Sequence, residues 1–310
     1  MNSGAKNRLG ASSSLSDNRR GAMNFIEFDD DVFIKFKELI YREAGIKLTD
    51  LKKALIQARL SKRLRFLGIP SYRDYYEYLI ENYGEEKIEF INAITTNKTE
   101  FFREGRHFEF IKDSCLPEFE GRGKKAIKIW SAGCSTGEEA YSIAITLREY
   151  YAGGKYPEIK ILATDIDTNV LEKAYNGVYS FEQIKEIDVP VLKKYFMRGK
   201  GDNEGFFKVK DEIRNMIVFR RLNLLDDAYP MKGKFDIIFC RNVIIYFDRP
   251  TQRDLFEKFY RYLDDDGYLF IGHSENLTSV SNRFTLLGHT IYRKSIMQLQ
   301  GAGPVSGKRQ

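Results

Sequence analysis

From Asn97 onward the chain alternates short apolar runs with helical stretches, and that alternation restricts the fold more than any other feature of the sequence. The strand candidates are Ala126–Ala132, Ile159–Asp165, Ile217–Asn223, Phe235–Arg241 and Gly267–Gly272, with helices expected near 137–151, 168–176 and 250–263. Strands this apolar need cover on both faces. Helices between them supply it, so the pattern predicts an α/β domain on a largely parallel sheet. Two departures from a plain doubly wound fold stand out. After Gly267–Gly272 no helix follows; Phe284–Leu287 and Thr290–Lys294 around Gly288-His289 predict an antiparallel hairpin on the sheet edge. The segment 178–216 is too long for a simple crossover. Its Gly199, Gly201 and Gly205 before Phe206-Phe207-Lys208-Val209-Lys210 predict a small inserted β-subdomain at about 196–216.

Upstream of Asn97 the texture is helical. Punctuation predicts helices at about 30–44 before Gly45, 50–67 between Thr49 and Gly68, 71–83 from Ser71 to Gly84, and 85–96. The expected organisation is a disordered tail at 1–22, a helical domain at 23–94 with Met23 as the natural start, and an interdomain linker at 95–112. The α/β domain then occupies 113–296, and a second disordered tail 297–310.

Charge decides which partners to expect. The 310 residues carry 50 Lys+Arg against 44 Asp+Glu, a formal +6, but the two tails supply +5 of it and leave a near-neutral body. A whole-surface nucleic-acid or membrane binder is disfavoured, because that mode needs a field spread over the folded domain. Within the body, residues 51–73 hold seven cations (Lys52, Lys53, Arg59, Lys62, Arg63, Arg65, Arg73) and no acid. Any electrostatic partner should meet that stretch. The most apolar run, Phe235 to Phe247, is broken by Asp236, Arg241 and Asn242, so no membrane span is expected, and no signal peptide is evident. Three separated cysteines (Cys115, Cys134, Cys240) fit a reducing cytoplasm rather than a disulfide framework or a zinc site.

Four runs carry chemistry. In Ile129-Trp130-Ser131-Ala132-Gly133-Cys134-Ser135-Thr136-Gly137-Glu138-Glu139 a strand ends in small residues and opens a helix, which lets backbone approach a ligand. The spacing is neither a dinucleotide fingerprint nor a P-loop, and a tight strand-to-helix turn is its bland reading. In Thr164-Asp165-Ile166-Asp167 an acid at the carboxyl end of the second strand suits a ribose diol; having two acids lets Asp165 take that role and Asp167 cap the following helix. Asn223-Leu224 closes the next strand, where an amide could meet an adenine edge or simply satisfy backbone. Cys240-Arg241-Asn242-Val243-Ile244-Ile245-Tyr246 ends the fourth strand in polar groups. Cys240 has no partner base and reads as a buried spectator, and His107, His273 and His289 lack the spacing of a metal site or a triad.

Together with Thr95-Thr96-Asn97-Lys98-Thr99-Glu100-Phe101-Phe102-Arg103-Glu104 and Gly272-His273-Ser274-Glu275-Asn276, these runs resemble the CheR family of chemotaxis receptor glutamate methyltransferases, in consistent order over roughly 28–294. The resemblance implies an N-terminal all-α domain joined to a Rossmann-like domain that binds S-adenosyl-L-methionine and releases S-adenosyl-L-homocysteine. It assigns cofactor contacts to Asn97, Thr99, Arg103, Glu139, Asp165, Asn223, Leu224, Arg241 and Asn242, and the methyl-transfer centre to Arg103 and Tyr246. Asn97 also has a local reading, as a helix cap in a capping box with Glu100. No general base stands out, and a glutamate acceptor, ionised above a pKa of about 4.3, needs none.

Lys52, Arg59 and Arg63 recur at spacings of seven and four, on about one side of helix 50–67, and Lys62 is counted with them. The bland reading is a solvated face. Under the resemblance these four dock the acidic methylation region of a transmembrane chemoreceptor's cytoplasmic helices, at a distance from the cofactor site. The β-subdomain resembles one that in some members tethers a receptor C-terminal peptide by strand addition. The alternatives are another S-adenosylmethionine-dependent enzyme, on nucleic acid or a small molecule, or a non-catalytic cofactor-sensing scaffold.

Overall fold

The computed structural model describes residues 28–154 and 157–295; the expected tails, and Met23 as a start, lie outside the described residues. Helices α1 (Asp30–Ala44), α2 (Lys53–Leu67), α3 (Tyr72–Glu81) and α4 (Tyr83–Ile94) pack around Phe36, Ile40, Ile56, Leu60, Leu64, Tyr75 and Phe90. The boundaries follow local chemistry. Asp29 accepts the Val32 N–H at 2.7 Å to start α1, and Gly45, at φ +66°, stops it.

Residues 95–105 carry no helix, so there is none for Asn97 to cap, and the capping-box reading fails. The later part of the expected linker is helical: α5 (Arg106–Phe110) runs through a π turn at 111–115 into α6 (Leu116–Gly121). There follow β1 (Ala126–Ala132), α7 (Glu138–Tyr150), β2 (Glu158–Asp165), α8 (Thr168–Asn176), β3 (Val178–Ser180), α9 (Phe181–Ile184), α10 (Val189–Tyr195), β4 (Phe196–Arg198), β5 (Phe206–Val209), α11 (Asp211–Arg214) and β6 (Ile217–Arg221). The chain ends in β7 (Phe235–Cys240), α12 (Arg249–Tyr262), β8 (Leu263–Ile271), β9 (Phe284–Gly288) and β10 (Ile291–Lys294).

The main sheet has the order β6-β2-β1-β7-β8-β10-β9, its first five strands parallel and β9–β10 an antiparallel edge hairpin. Alternate residues feed two cores, as a sheet covered on both faces requires. Ile129, Ile237, Phe239 and Phe270 join α7 and the α5–α6 region, while Trp130, Ile238, Cys240 and Leu269 pack on Leu255, Phe256 and Phe259 of α12. The chain leaves β1 for β2 and β6 on one side, then returns for β7 and β8 on the other. That reversal opens a crevice at the carboxyl ends of β1 and β7, the usual place for a ligand in such sheets.

The inserted subdomain is a three-stranded antiparallel sheet, β3-β5-β4. Its third strand comes from Val178–Ser180, ahead of the expected 196–216, because three residues after a helix give too short a pattern to read. Cys115, Cys134 and Cys240 are buried and unpaired, and burial pushes each thiol well above its usual range. No helix among the described residues is long and apolar enough to cross a membrane.

Candidate functional site

A cleft of about 1150 Å³, including its open mouth, lies at the crevice with the α1, α2 and α4 domain over it. Asn97, Thr99, Arg103, Glu139, Asp165, Asn223, Leu224, Arg241, Asn242 and Tyr246 all line it. Five segments spread over 150 residues of sequence converge there.

The loop after β1 fixes the first wall. The Gly133 and Cys134 amides both donate to the Thr164 carbonyl, at 2.8 and 2.9 Å, tying this loop to the end of β2. Gly133 sits at φ +86° with Val243 where a side chain would stand, and Gly137, at φ +96°, is pressed against Ala174; neither position admits a Cβ. The two glycines of the sequence run are therefore demanded by geometry. Past Gly137, α7 opens with two buried acids. Glu138 is held by Thr136 Oγ1 at 2.6 Å, and Glu139 faces the cleft. Glu139 accepts from Ser131 Oγ at 2.6 Å and from Arg241 Nε at 2.7 Å, so its carboxylate is fixed from both sides.

Asp165 is buried at the end of β2 and accepts the Ser135 N–H at 2.8 Å and the Asp167 N–H at 3.0 Å. Burial pushes its pKa up to about 6 against the pull of those two amides. Asp167 caps α8 through the Asn169 and Val170 amides, as expected. Its other oxygen accepts from Thr95 Oγ1 at 2.6 Å and Asn97 Nδ2 at 2.7 Å, so the Asn97 amide ties the interdomain segment to the start of α8. From the next strand, Asn223 Nδ2 donates to the Glu43 carbonyl at the end of α1, 2.7 Å away, joining the two domains and meeting the backbone-satisfying alternative of the two that the sequence offers.

After β7, Arg241 is buried beside the stacked Phe108 and Phe239 rings, and its Nη1 donates to the Arg103 carbonyl at 2.7 Å. Asn242 adopts φ +58°, and Phe102, Glu104 and Ser135 share that left-handed region. Strain of this kind costs on the order of 1–3 kcal/mol per residue and concentrates where function holds it in place. The organiser of the turn at 242–246 is a residue that sequence reasoning quoted but gave no role. Glu275 is buried and accepts the amides of Gly272, Asn242 and Ile244 at 2.6, 3.0 and 2.7 Å. Its position three residues after Gly272, at the end of an apolar strand, was the available signal.

Cations ring the mouth. Arg103 and Lys98 come from the interdomain segment, Lys52 and Arg59 from the helical domain. Arg103 donates to the Lys98 carbonyl at 3.2 Å and has no carboxylate partner among the described residues. Tyr246 lies on a short 3-10 turn, Ile244–Tyr246, under the ammonium of Lys52, 5.5 Å from its ring centre. Arg59 holds the Ile94 carbonyl and, at 2.8 Å, Thr96 Oγ1.

Two sequence expectations need correction. The basic stretch is not distant from the cleft, since α2 forms part of its wall and both Lys52 and Arg59 reach it. Arg63 does not belong to a docking face. It turns inward to Glu86, whose oxygens accept from it at 2.6 and 2.9 Å and from Tyr75 Oη at 2.8 Å, while Lys62 stands exposed.

Comparison with known proteins gives this arrangement a context. The family profile "CheR methyltransferase, all-alpha domain" matches residues 31–95, and "CheR methyltransferase, SAM binding domain" matches 97–293. The chain is 44% identical over 260 residues to chemotaxis protein methyltransferase 2 of Pseudomonas aeruginosa, covering 84% of this chain and 91% of that protein. It is 44% identical over 273 residues to the chemotaxis protein methyltransferase of Escherichia coli (87% and 93%), and 39% over 276 residues to that of Borreliella burgdorferi (87% and 96%).

Proposed function

The chain belongs to the CheR methyltransferase family, an S-adenosylmethionine-dependent methyltransferase of chemotaxis, and from that premise we propose which groups it methylates and which residues do the work. The acceptor is a glutamate side chain in the cytoplasmic methylation region of a chemoreceptor, the product is a glutamyl methyl ester, and the enzyme acts in the cytoplasm. One observation carries the reading: Arg103, a guanidinium with no carboxylate partner among the described residues, and three further cations surround the mouth of a cleft whose inner wall presents two fixed carboxylates.

The donor set fits S-adenosylmethionine. Glu139 suits its ammonium and Asp165 its ribose diol, Leu224 supplies apolar wall beside the adenine, and Asn97, Thr99, Asn223, Arg241 and Asn242 complete the lining. When bound, the cofactor supplies a methyl group on a sulfonium centre, an electrophile that a carboxylate attacks with no proton to remove. Arg103 orients the acceptor carboxylate or that of the cofactor, and Tyr246 borders the path between them. Lys52 and Arg59 add positive field at the entrance, which favours an anionic acceptor and steers its approach. Alignment and exclusion of water are the main tasks left to the protein, and proximity supplies roughly 7–11 kcal/mol in favourable cases.

Lys52, Arg59 and Lys62 meet the acidic receptor helices. A receptor C-terminal peptide, where present, adds as a strand to an edge of the β3-β5-β4 sheet, beside the exposed Val178 or Met197. The test is incubation with methyl-labelled S-adenosylmethionine and receptor cytoplasmic fragments. Base-labile label on receptor glutamates is expected; base-stable label, or label transferred to nucleic acid instead, overturns the reading.

A further inference from the structure

Arg241 touches both halves of the proposed site, Glu139 through Nε and the Arg103 carbonyl through Nη1, so whatever orients Arg241 governs both. Behind it lies His107, fully buried on α5. Its Nε2 is 2.7 Å from the His289 carbonyl, and a carbonyl only accepts, so the ring's proton is on Nε2. Nδ1 is then a lone pair, and Arg241 Nη1 sits 3.1 Å from it as donor. The carbonyl that fixes this tautomer belongs to the turn of the β9–β10 hairpin, where Gly288, His289 and Thr290 run at φ +119°, +50° and +58° in succession. Two successive non-glycine residues in that region cost free energy, a sign that the turn is held for a reason.

We propose that His107 is a positioning residue of the cofactor site: the hairpin carbonyl holds it in the Nε2–H tautomer, and its Nδ1 lone pair aims the Arg241 guanidinium at Glu139 and at the Arg103 backbone. The edge hairpin is thereby part of the active site although it contributes no residue to the cleft. The groups facing His107 are Arg241 and Glu104 on the cleft side, His273 from the segment after β8, and the His289 carbonyl. Burial and the Arg241 charge both oppose protonation and push its pKa down to about 4, so the acceptor survives across the working pH range. Glu104, His107 and His273 also place ligand atoms within 4.8 Å of one another, in the manner of a metal site. A cation there would lie against the Arg241 guanidinium, which already occupies Nδ1, and the chemistry favours positioning over metal binding.

The inference rests on the cofactor roles proposed for Glu139 and Arg241, and the test separates the two. In 15N-labelled wild-type protein, His107 is expected to show the neutral Nε2–H tautomer and not to titrate from pH 8 to 5.5; an Nδ1–H tautomer, an imidazolium in that range, or a Zn2+-dependent shift of its ring nitrogens overturns the proposal. His107→Leu should weaken S-adenosylhomocysteine binding by calorimetry about tenfold and raise the cofactor KM. His107→Asn, which keeps an acceptor near the Nδ1 position, should recover most of the loss. If Glu139→Gln binds as wild type, the cofactor reading of the site fails. If Glu139→Gln weakens binding and a folded His107→Leu does not, the positioning role fails.

Discussion

Asp165 illustrates how much a single residue tells and withholds. An acid at the end of the second strand suggests a ribose ligand, the role proposed for Asp165, and a second acid two residues later suggests a helix cap. The cap is observed, but nothing local revealed that Asp167 also receives Asn97 from the interdomain segment, because that contact spans 70 residues. Nor does sequence report burial, which pushes the Asp165 pKa up to about 6. The acceptor form is the charged one, so affinity should be full above that pKa and fall as pH drops through it. Binding of S-adenosylhomocysteine is predicted to weaken about tenfold between pH 7 and 5. Asp165→Asn should bind weakly and lose that pH dependence; a wild-type profile in the variant would remove Asp165 from the site.

Among the elements, α2 was the most readable and the most easily misread. Periodicity places Lys52, Arg59 and Arg63 on about one side, but only packing decides what that side faces. Glu86 lies one helix away on α4 and draws Arg63 inward, where removal of the cation leaves a buried carboxylate unpaired. Arg63→Ala should therefore destabilise the protein by about 3 kcal/mol in chemical denaturation, with S-adenosylhomocysteine affinity unchanged. Lys62→Glu should do the opposite, raising the receptor KM severalfold in moderate salt at unchanged stability. Equal stability of Arg63→Ala and the wild type would contradict the assignment of these two neighbours. The elements that escaped reading, α5, α6, β3 and α9 to α11, are three to seven residues long. Runs that short hold at most two periods, too few to set a pattern apart, and their stability comes from packing such as the Tyr179 hydroxyl on the Thr136 carbonyl at 2.7 Å.

At the scale of the whole molecule, the order of strands and helices was legible because both faces of the sheet are covered, which forces apolar runs. The convergence of the helical domain on the cleft was not. It depends on long-range pairs: Asn92 with Thr168, Asn97 with Asp167, Asn223 with the Glu43 carbonyl, and the Lys47 amide with the Tyr246 carbonyl. These bonds bring the basic stretch of a near-neutral body to the entrance of the site, so the charges that would steer an acidic acceptor stand beside the groups that would align it. Arg103 lies at the centre of that arrangement and has no carboxylate partner among the described residues. The most direct measurement is methyl transfer to receptor fragments by Arg103→Ala at saturating cofactor. A loss of about a hundredfold or more in turnover with an unchanged melting temperature is predicted; near-normal methylation by the folded variant would contradict the account.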